Sequence, residues 1–323
     1  MLDVITIGSA VRDVFLVSKA FKMIRSDKFA GGIGECVGLG SKIEVDQMVL
    51  STGGGASNAA ATFRNFGASV GAVTRIGDDP TGEDILRDFA VRRIDTSLVK
   101  IVKGGQSGYS TLLTAKNGER SILVHRGVSA EFETKDIPVK KLNAHWIYVS
   151  SLAGNVEVLK KIAKHVEKKK IHFAFNPGSK ELKQGLRILT PIFKATTVLN
   201  MNLEEAQLLT KLKTKDIRKL AAKIPHGDIL LITDGPRGAY AAQGETVFYA
   251  RTTGAKSLSR TGAGDAFGSG FVSTLLEEMS IEDALRIATL NAEAVIQEHG
   301  AKNGLLKKWP SKKTLAKISV KQI

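Results

Sequence analysis

Asp265 closes the run Thr261-Gly262-Ala263-Gly264-Asp265, a turn of small residues leading straight into an apolar stretch that begins Ala266-Phe267. The spacing predicts a helix that starts near Asp265 and runs to about Glu278, with Thr261 as its cap. A helix start leaves backbone N–H groups unpaired and carries the positive end of the helix dipole, so it binds anions, phosphate above all. Gly262 and Gly264 let that backbone come close to a guest. A carboxylate beside an anion site is unfavourable unless it has a task, and taking a proton from an attacking hydroxyl is such a task. The same residues also fit a helix-terminal acid with glycines that serve packing, and the motif alone leaves both open.

A second glycine-rich turn, Ser51-Thr52-Gly53-Gly54-Gly55, runs into another helix with Asn58 one turn in. Gly54 permits close backbone approach, and the Asn58 amide can donate and accept toward sugar hydroxyls. Asp13 follows the first strand, at the end where open α/β sheets bind their ligands. Asn202 and Glu205, three apart, share a face if a helix starts there; they equally fit a polar surface. Thr233, Gly235 and Gly238 sit in a strand-to-turn segment, "TDGPRGAY". Arg126 is a cation suited to an acidic or phosphorylated substrate, or an ordinary surface arginine. The histidines, His125 included, have no metal-ligand spacing.

These groups need a scaffold, and the chain supplies alternating signals for one. Val4–Gly8, His145–Ser150, Ile171–Asn176, Thr197–Asn200 and Asp228–Thr233 read as buried strands. Between them lie amphipathic helices such as Val156–Lys170, with Leu159, Ile162, Ala163 and Val166 on one face. The alternation predicts a three-layer α/β sandwich with a mainly parallel sheet. Residues from about 12 to 50 and from 106 to 125 break the rhythm. They read as a small antiparallel β lid, with a pair of strands in 106–125 joined at Lys116–Glu119, although surface loops fit the same residues. The chain is expected to form a single unit over 1–323 containing this lid, and the lysine-rich tail after Leu306 reads as a helix or a frayed end.

Composition narrows the class. The chain has 323 residues, 43% of them apolar and 24% charged, enough to bury a sizeable core. It has no apolar run of membrane-spanning length, and its start lacks the pattern of a signal peptide, so a cytoplasmic protein without a membrane partner is expected. A single cysteine, Cys36, excludes an intrachain disulfide and agrees with a reducing compartment. The net charge of +15 arises from 47 basic and 32 acidic residues spread along the chain. That spread fits phosphate-bearing substrates better than a nucleic-acid surface, and no nucleic-acid partner is expected.

Taken in order, these motifs resemble the ribokinase family, also called the PfkB carbohydrate kinases, over nearly the whole chain. The glycine pair before Asn58 is similar to one family signature and Thr261–Phe267 to the other. The resemblance implies a ribokinase-like fold and transfer of the ATP γ-phosphoryl to a hydroxymethyl group. It implies Asp265 as general base, the amides of Gly262, Ala263 and Gly264 as anion hole, and Asp13, Gly54 and Asn58 as holders of the acceptor's hydroxyls. It makes Asn202 and Glu205 the N-x-x-E pair that orders Mg2+ and phosphate through water. It assigns the nucleotide to Thr233, Gly235, Gly238 and Thr261, with Asn291, Ala301 and Asn303 bordering the adenine. A homodimer formed through the lid is common in the family, and the lid, including the Gly31–Gly38 loop, is expected to exclude water.

One position departs from the pattern. Many relatives carry an acid two residues before the threonine, where it helps bind an activating monovalent cation. This chain has Ser259 there, followed by Arg260, so the resemblance does not carry a potassium requirement over. Other classes fit less well. A dinucleotide oxidoreductase would need G-x-G-x-x-G after the first strand, and a P-loop kinase would need a Gly-Lys pair, which the chain lacks. A non-catalytic sugar or nucleotide sensor would have no use for Asp265. The acceptor stays open between a sugar, a sugar phosphate and a nucleoside. Phe15, Phe21, Phe29 and Tyr109 are the lid's candidates for stacking on a base.

Overall fold

In the strand Leu2–Ile7, Ile5 and Ile7 enter one hydrophobic layer and Val4 the other, which is the period-two alternation of a strand covered on both faces. The computed structural model describes residues 1–29, 32–115 and 120–323, and this alternation recurs across its main sheet. Ile147, Phe173, Leu199 and Leu230 point into the first layer, while Trp146, Ala174, Val198 and Leu231 point into the second. The sheet order is Val320–Gln322, Thr246–Ala250, Ala239–Gln243, Ile229–Thr233, Val198–Asn202, His172–Phe175, Ala144–Val149, Leu2–Ile7, Val70–Val73. The last six of these run parallel, and the three at the other edge are antiparallel.

Helices fill both faces. Val156–Lys169 packs Leu159, Ile162 and Val166 on one layer. It starts at Asn155, whose side chain accepts the Val158 N–H at 3.1 Å, and stops at Lys170 in the left-handed region. Gly55–Asn65, Pro80–Val91, Ala263–Leu276 and Ile281–Val295 cover the opposite face. Gly268 and Gly270 are packing positions. A Cβ at Gly268 would lie 2.6 Å from both the Tyr148 hydroxyl and the Asn200 amide, and one at Gly270 would lie 3.3 Å from the Ala288 Cα.

The lid is a four-stranded sheet in the order Arg120–His125, Gly108–Thr114, Val11–Val17, Gln47–Gly53. Its central pair, Val11–Val17 with Gly108–Thr114, is parallel, because the chain passes through Gly55–Asn65 and Pro80–Val91 between the two strands. The sheet is therefore mixed, not wholly antiparallel. The turn expected at Lys116–Glu119 and the residues Ala30 and Gly31 lie outside the described residues; Ile33–Cys36 pairs with Lys22–Arg25 in a separate ribbon. The tail also differs from expectation. Beyond a short helix, Lys312–Leu315, Ile318 is 1% exposed and Val320–Gln322 adds an antiparallel edge strand to the main sheet.

Candidate active site

The helix carrying Asp265 begins at Ala263, two residues earlier than the sequence predicts, and ends at Leu276. Its cap is Gly262, at φ 82°, and not Thr261, whose hydroxyl is buried with no hydrogen-bond partner among the described residues. A left-handed φ at the cap favours glycine, and Ala301 packs against its Cα so closely that a Cβ would lie 2.5 Å from the alanine methyl. The first intrahelical bond runs from the Ala266 N–H to the Gly262 carbonyl at 2.9 Å. The amides of Gly264 and Asp265 therefore lie outside the helical ladder, at its positive end. Open space faces the Cα of Gly264.

Asp265 is half-buried in this first turn. Burial pushes its carboxyl above the usual range, and a hydrogen bond from the Asn58 amide to Oδ2, 2.8 Å long, opposes the shift. That bond fixes the carboxylate and leaves Oδ1 toward the second glycine turn, 3.5 Å from where a Cβ on Gly55 would stand. Asn58 lies in the first turn of Gly55–Asn65, behind the cap Gly54 at φ 91°. Its Oδ1 is buried with no partner among the described residues, an acceptor in want of a donor such as a hydroxyl.

Asp13 closes the other side of this space. It is 5% exposed, in the lid strand Val11–Val17, with its carboxylate against the Cα of Gly53. Burial raises its pKa to about 6; a hydrogen bond with the Ser110 side chain and the charge of Lys302 pull it down, and the Asp265 charge pushes it up. Two carboxylates that feel each other's charge thus stand against the second glycine turn, Asp13 at Gly53 and Asp265 at Gly55.

On the far side of the anion turn lies a cleft with a cavity volume of about 280 Å³. Thr233, Gly235, Gly238, Ala263 and Gly264 line it, so these sequence-predicted residues converge, and Arg260 and Glu293 join them. Both Glu293 oxygens accept from Thr253, one from the backbone N–H at 2.6 Å and one from the hydroxyl at 2.8 Å. Asn202 adjoins Thr233 in the sheet register. It forms a reciprocal cap with Glu205: the Asn202 side chain accepts the Glu205 N–H at 2.8 Å, and the Glu205 carboxylate accepts the Asn202 N–H at 2.9 Å. Burial raises the Glu205 pKa. Among the described residues no group of three or more His, Cys, Asp or Glu could hold a metal directly. Ser259 is buried, and its hydroxyl accepts the Thr261 N–H at 3.3 Å, so no carboxylate stands at that position.

Four expected contacts sit elsewhere. Asn291 is fully buried between helices, its amide donating to the Ala266 carbonyl at 2.9 Å and its Oδ1 accepting the Leu306 N–H at 3.0 Å. Helical phase explains this, because Thr289, Ala292, Glu293 and Ile296 are the positions that face the cleft. Ala301 underpins Gly262, and the Asn303 amide donates to the His299 carbonyl at 2.6 Å; neither lines the cleft. Arg126 is exposed after the strand Arg120–His125, and among the described residues no hydrogen bond or ion pair joins its guanidinium to the site. Phe15 and Phe21 are buried, whereas Phe29 and Tyr109 remain exposed. Sequence reasoning missed Ser110, Glu293 and Lys302. Ser110 faces Asp13 only through strand register, and a lone lysine has no signal in a chain this basic.

Comparisons with known proteins bear on the family and the fold. The model of the pfkB family carbohydrate kinases matches residues 1–308. A protein described as an uncharacterized sugar kinase of Archaeoglobus fulgidus is 28% identical over 248 residues, covering 74% of this chain and 96% of the relative. A ribokinase of Haemophilus influenzae is 26% identical over 271 residues, covering 79% of this chain and 84% of that one. The structure of an Arabidopsis thaliana ribokinase complexed with ribose and ATP superposes with a TM-score of 0.74 at 20% identity over 98% of each chain. The fold is thus that of the ribokinases, as the sequence motifs imply.

Proposed function

Since the chain belongs to the pfkB family of carbohydrate kinases, phosphotransferases with an alcohol acceptor, we propose that it moves the ATP γ-phosphoryl to a hydroxymethyl group of a sugar or sugar derivative. The observation that carries this reading is the position of Asp265. Its carboxylate stands at a helix start with two amides outside the helical ladder, held by Asn58 beside Gly55, while Ala263 and Gly264 of the same turn line the Thr233–Gly238 cleft. Asp13, Gly54 and the Asn58 Oδ1 would seat the acceptor. Asp265 Oδ1 then takes the hydroxyl proton as the oxygen attacks phosphorus. The raised pKa makes the carboxylate a stronger base than an exposed aspartate. The amides of Gly264 and Asp265 would face the charge that develops on the transferring group, where preorganised donors are most effective, whereas the Ala263 N–H donates to the Arg260 carbonyl at 3.4 Å.

The cleft suits a nucleotide, with glycine backbone at Gly235 and Gly238 and the Arg260 cation beside the anion turn. Asn202 and Glu205 would hold Mg2+ through water, and the ion would neutralise phosphate charge. The capping bonds fix both side chains, and Asn202 adjoins Thr233 of the cleft in the sheet register. Among the described residues no helix is long and apolar enough to cross a membrane, and a cytoplasmic setting supplies the ATP that this reading requires. The lid bears exposed Met48, Leu50, Tyr109 and Leu123, which by register share the face opposite Asp13 and Phe15. That face is the proposed contact of a homodimer. The test of the activity is ADP release with MgATP and a panel of D-ribose, D-fructose, ribose 1-phosphate, adenosine and cytidine. Release that depends on one of these is expected; release indifferent to every acceptor contradicts the proposal.

A further inference from the structure

Lys302 is 4% exposed, although nothing in the phosphoryl transfer described above uses it. Its ammonium donates to the Thr52 hydroxyl, to the Ser57 hydroxyl at 2.8 Å and to Asp88 Oδ2 at 2.6 Å. These three acceptors come from three different elements. Thr52 is in the lid strand Gln47–Gly53, next to the Gly53 that abuts Asp13. Ser57 is in Gly55–Asn65, next to the Asn58 that holds Asp265. Asp88 is in Pro80–Val91, where its other oxygen accepts Arg92 Nε at 3.0 Å. Lys302 itself follows Ala301, the residue packed under the Gly262 cap of the anion turn. One buried cation therefore ties the turn that faces the phosphate to both walls of the acceptor pocket.

We propose that Lys302 is a positioning residue for the acceptor: its ammonium sets the lid strand and the second glycine turn in the register that aligns Asp13, Asn58 and Asp265. The proposal rests on the kinase reading for its consequence in catalysis, and on geometry alone for its consequence in structure. A buried ammonium is unfavourable unless paired and hydrogen-bonded, and an apolar side chain would fill the same volume without that penalty. The charges that face it are Asp88 and Arg92 from the outer helix and Asp13 from the lid, while Thr52 and Ser57 are neutral. Burial pulls the Lys302 pKa down to about 8, against the pull of Asp88 in the other direction. The clamp is charged below that pH and loses its charge above it. Its loss removes an attraction that favours ionised Asp13.

Two variants and two measurements test this. Lys302→Met removes the charge, and Thr52→Val removes one acceptor while leaving the buried pair with Asp88. Steady-state kinetics with D-ribose and with adenosine as probes are expected to show KM for the acceptor raised tenfold or more in Lys302→Met and about two- to fivefold in Thr52→Val, with KM for MgATP within twofold of the parent. The fall of the parent's acceptor kcat/KM above about pH 8 should be absent in Lys302→Met. Hydrogen exchange without any ligand should show faster exchange confined to Gln47–Gly53 and the first turn of Gly55–Asn65. Unchanged acceptor KM and unchanged exchange in both variants would overturn the proposal. So would equal increases in both KM values, or faster exchange spread over the whole molecule in Thr52→Val. A parent protein inert toward both probes, with exchange changed as stated, would count against the sugar or nucleoside reading and leave the clamp standing.

Discussion

Asp13 shows how a single site residue can work against stability. Its carboxyl has a pKa of about 6 in the folded protein, against 3.8 for an ordinary aspartate. The folded state thus binds the proton more tightly than the unfolded one, so ionised Asp13 costs stability above pH 6. The cost shrinks as pH falls through 6 and is gone near 4. At 1.36 kcal/mol per pH unit it amounts to about 1–3 kcal/mol. Asp13→Asn should accordingly be more stable than the parent by about that much at pH 7.5 in urea denaturation, with the gain vanishing near pH 4. The same variant should lose acceptor affinity, and the parent's acceptor kcat/KM should fall below about pH 6 as Asp13 takes a proton. Asp265, Asn58 and Asp13 were legible in the sequence because each lies in or beside a short local motif. Ser110 and Lys302 were not, because their place depends on strand register and on a segment far along the chain.

Among the elements, the start of Ala263–Leu276 bears most on the chemistry, and its geometry depends on Gly262. A Cβ there would combine a left-handed φ of 82° with a 2.5 Å approach to the Ala301 methyl. Gly262→Ala is expected to destabilise the fold by roughly 2–4 kcal/mol and to weaken MgATP binding, as strain and contact both displace the anion turn. Thermal unfolding and nucleotide titration check this; a variant with parental stability would mean that the turn relaxes freely. The strands and the Val156–Lys169 helix follow their periodicity within one or two residues. Three features were set by more than periodicity. The Asp265 helix starts early because Gly262, not Thr261, caps it; Asn291 turns inward because the cleft-facing phase of Ile281–Val295 falls on Thr289, Ala292, Glu293 and Ile296; and the tail forms a strand because Val320 finds a partner in Ala250. Each outcome was set by a tertiary neighbour that local pattern does not contain.

For the whole molecule, the layered α/β plan was readable from the alternation of elements, and the lid from its break in that rhythm. The mixed pairing of the lid was hidden, since which strands meet is decided by the chain's path through the main domain. The exposed apolar face of this small sheet, with Met48 at 58% and Leu123 at 60% exposure, is the surface on which the proposed homodimer rests. Light scattering at micromolar concentration is expected to give a dimer, and Leu50→Glu with Leu123→Glu a monomer. A monomeric parent would refute the lid contact.

The account turns most on Asp265 as the base that frees the acceptor's hydroxyl. Asp265→Asn keeps the shape and an amide contact with Asn58 but cannot take the proton, and general-base assistance is typically worth about 10²–10⁴ in rate. Acceptor-dependent ADP release by this variant, measured beside its affinity for MgATP, is the most direct test. The expected result is turnover reduced by that factor with nucleotide affinity within about threefold of the parent; turnover near the parental rate would contradict the assignment.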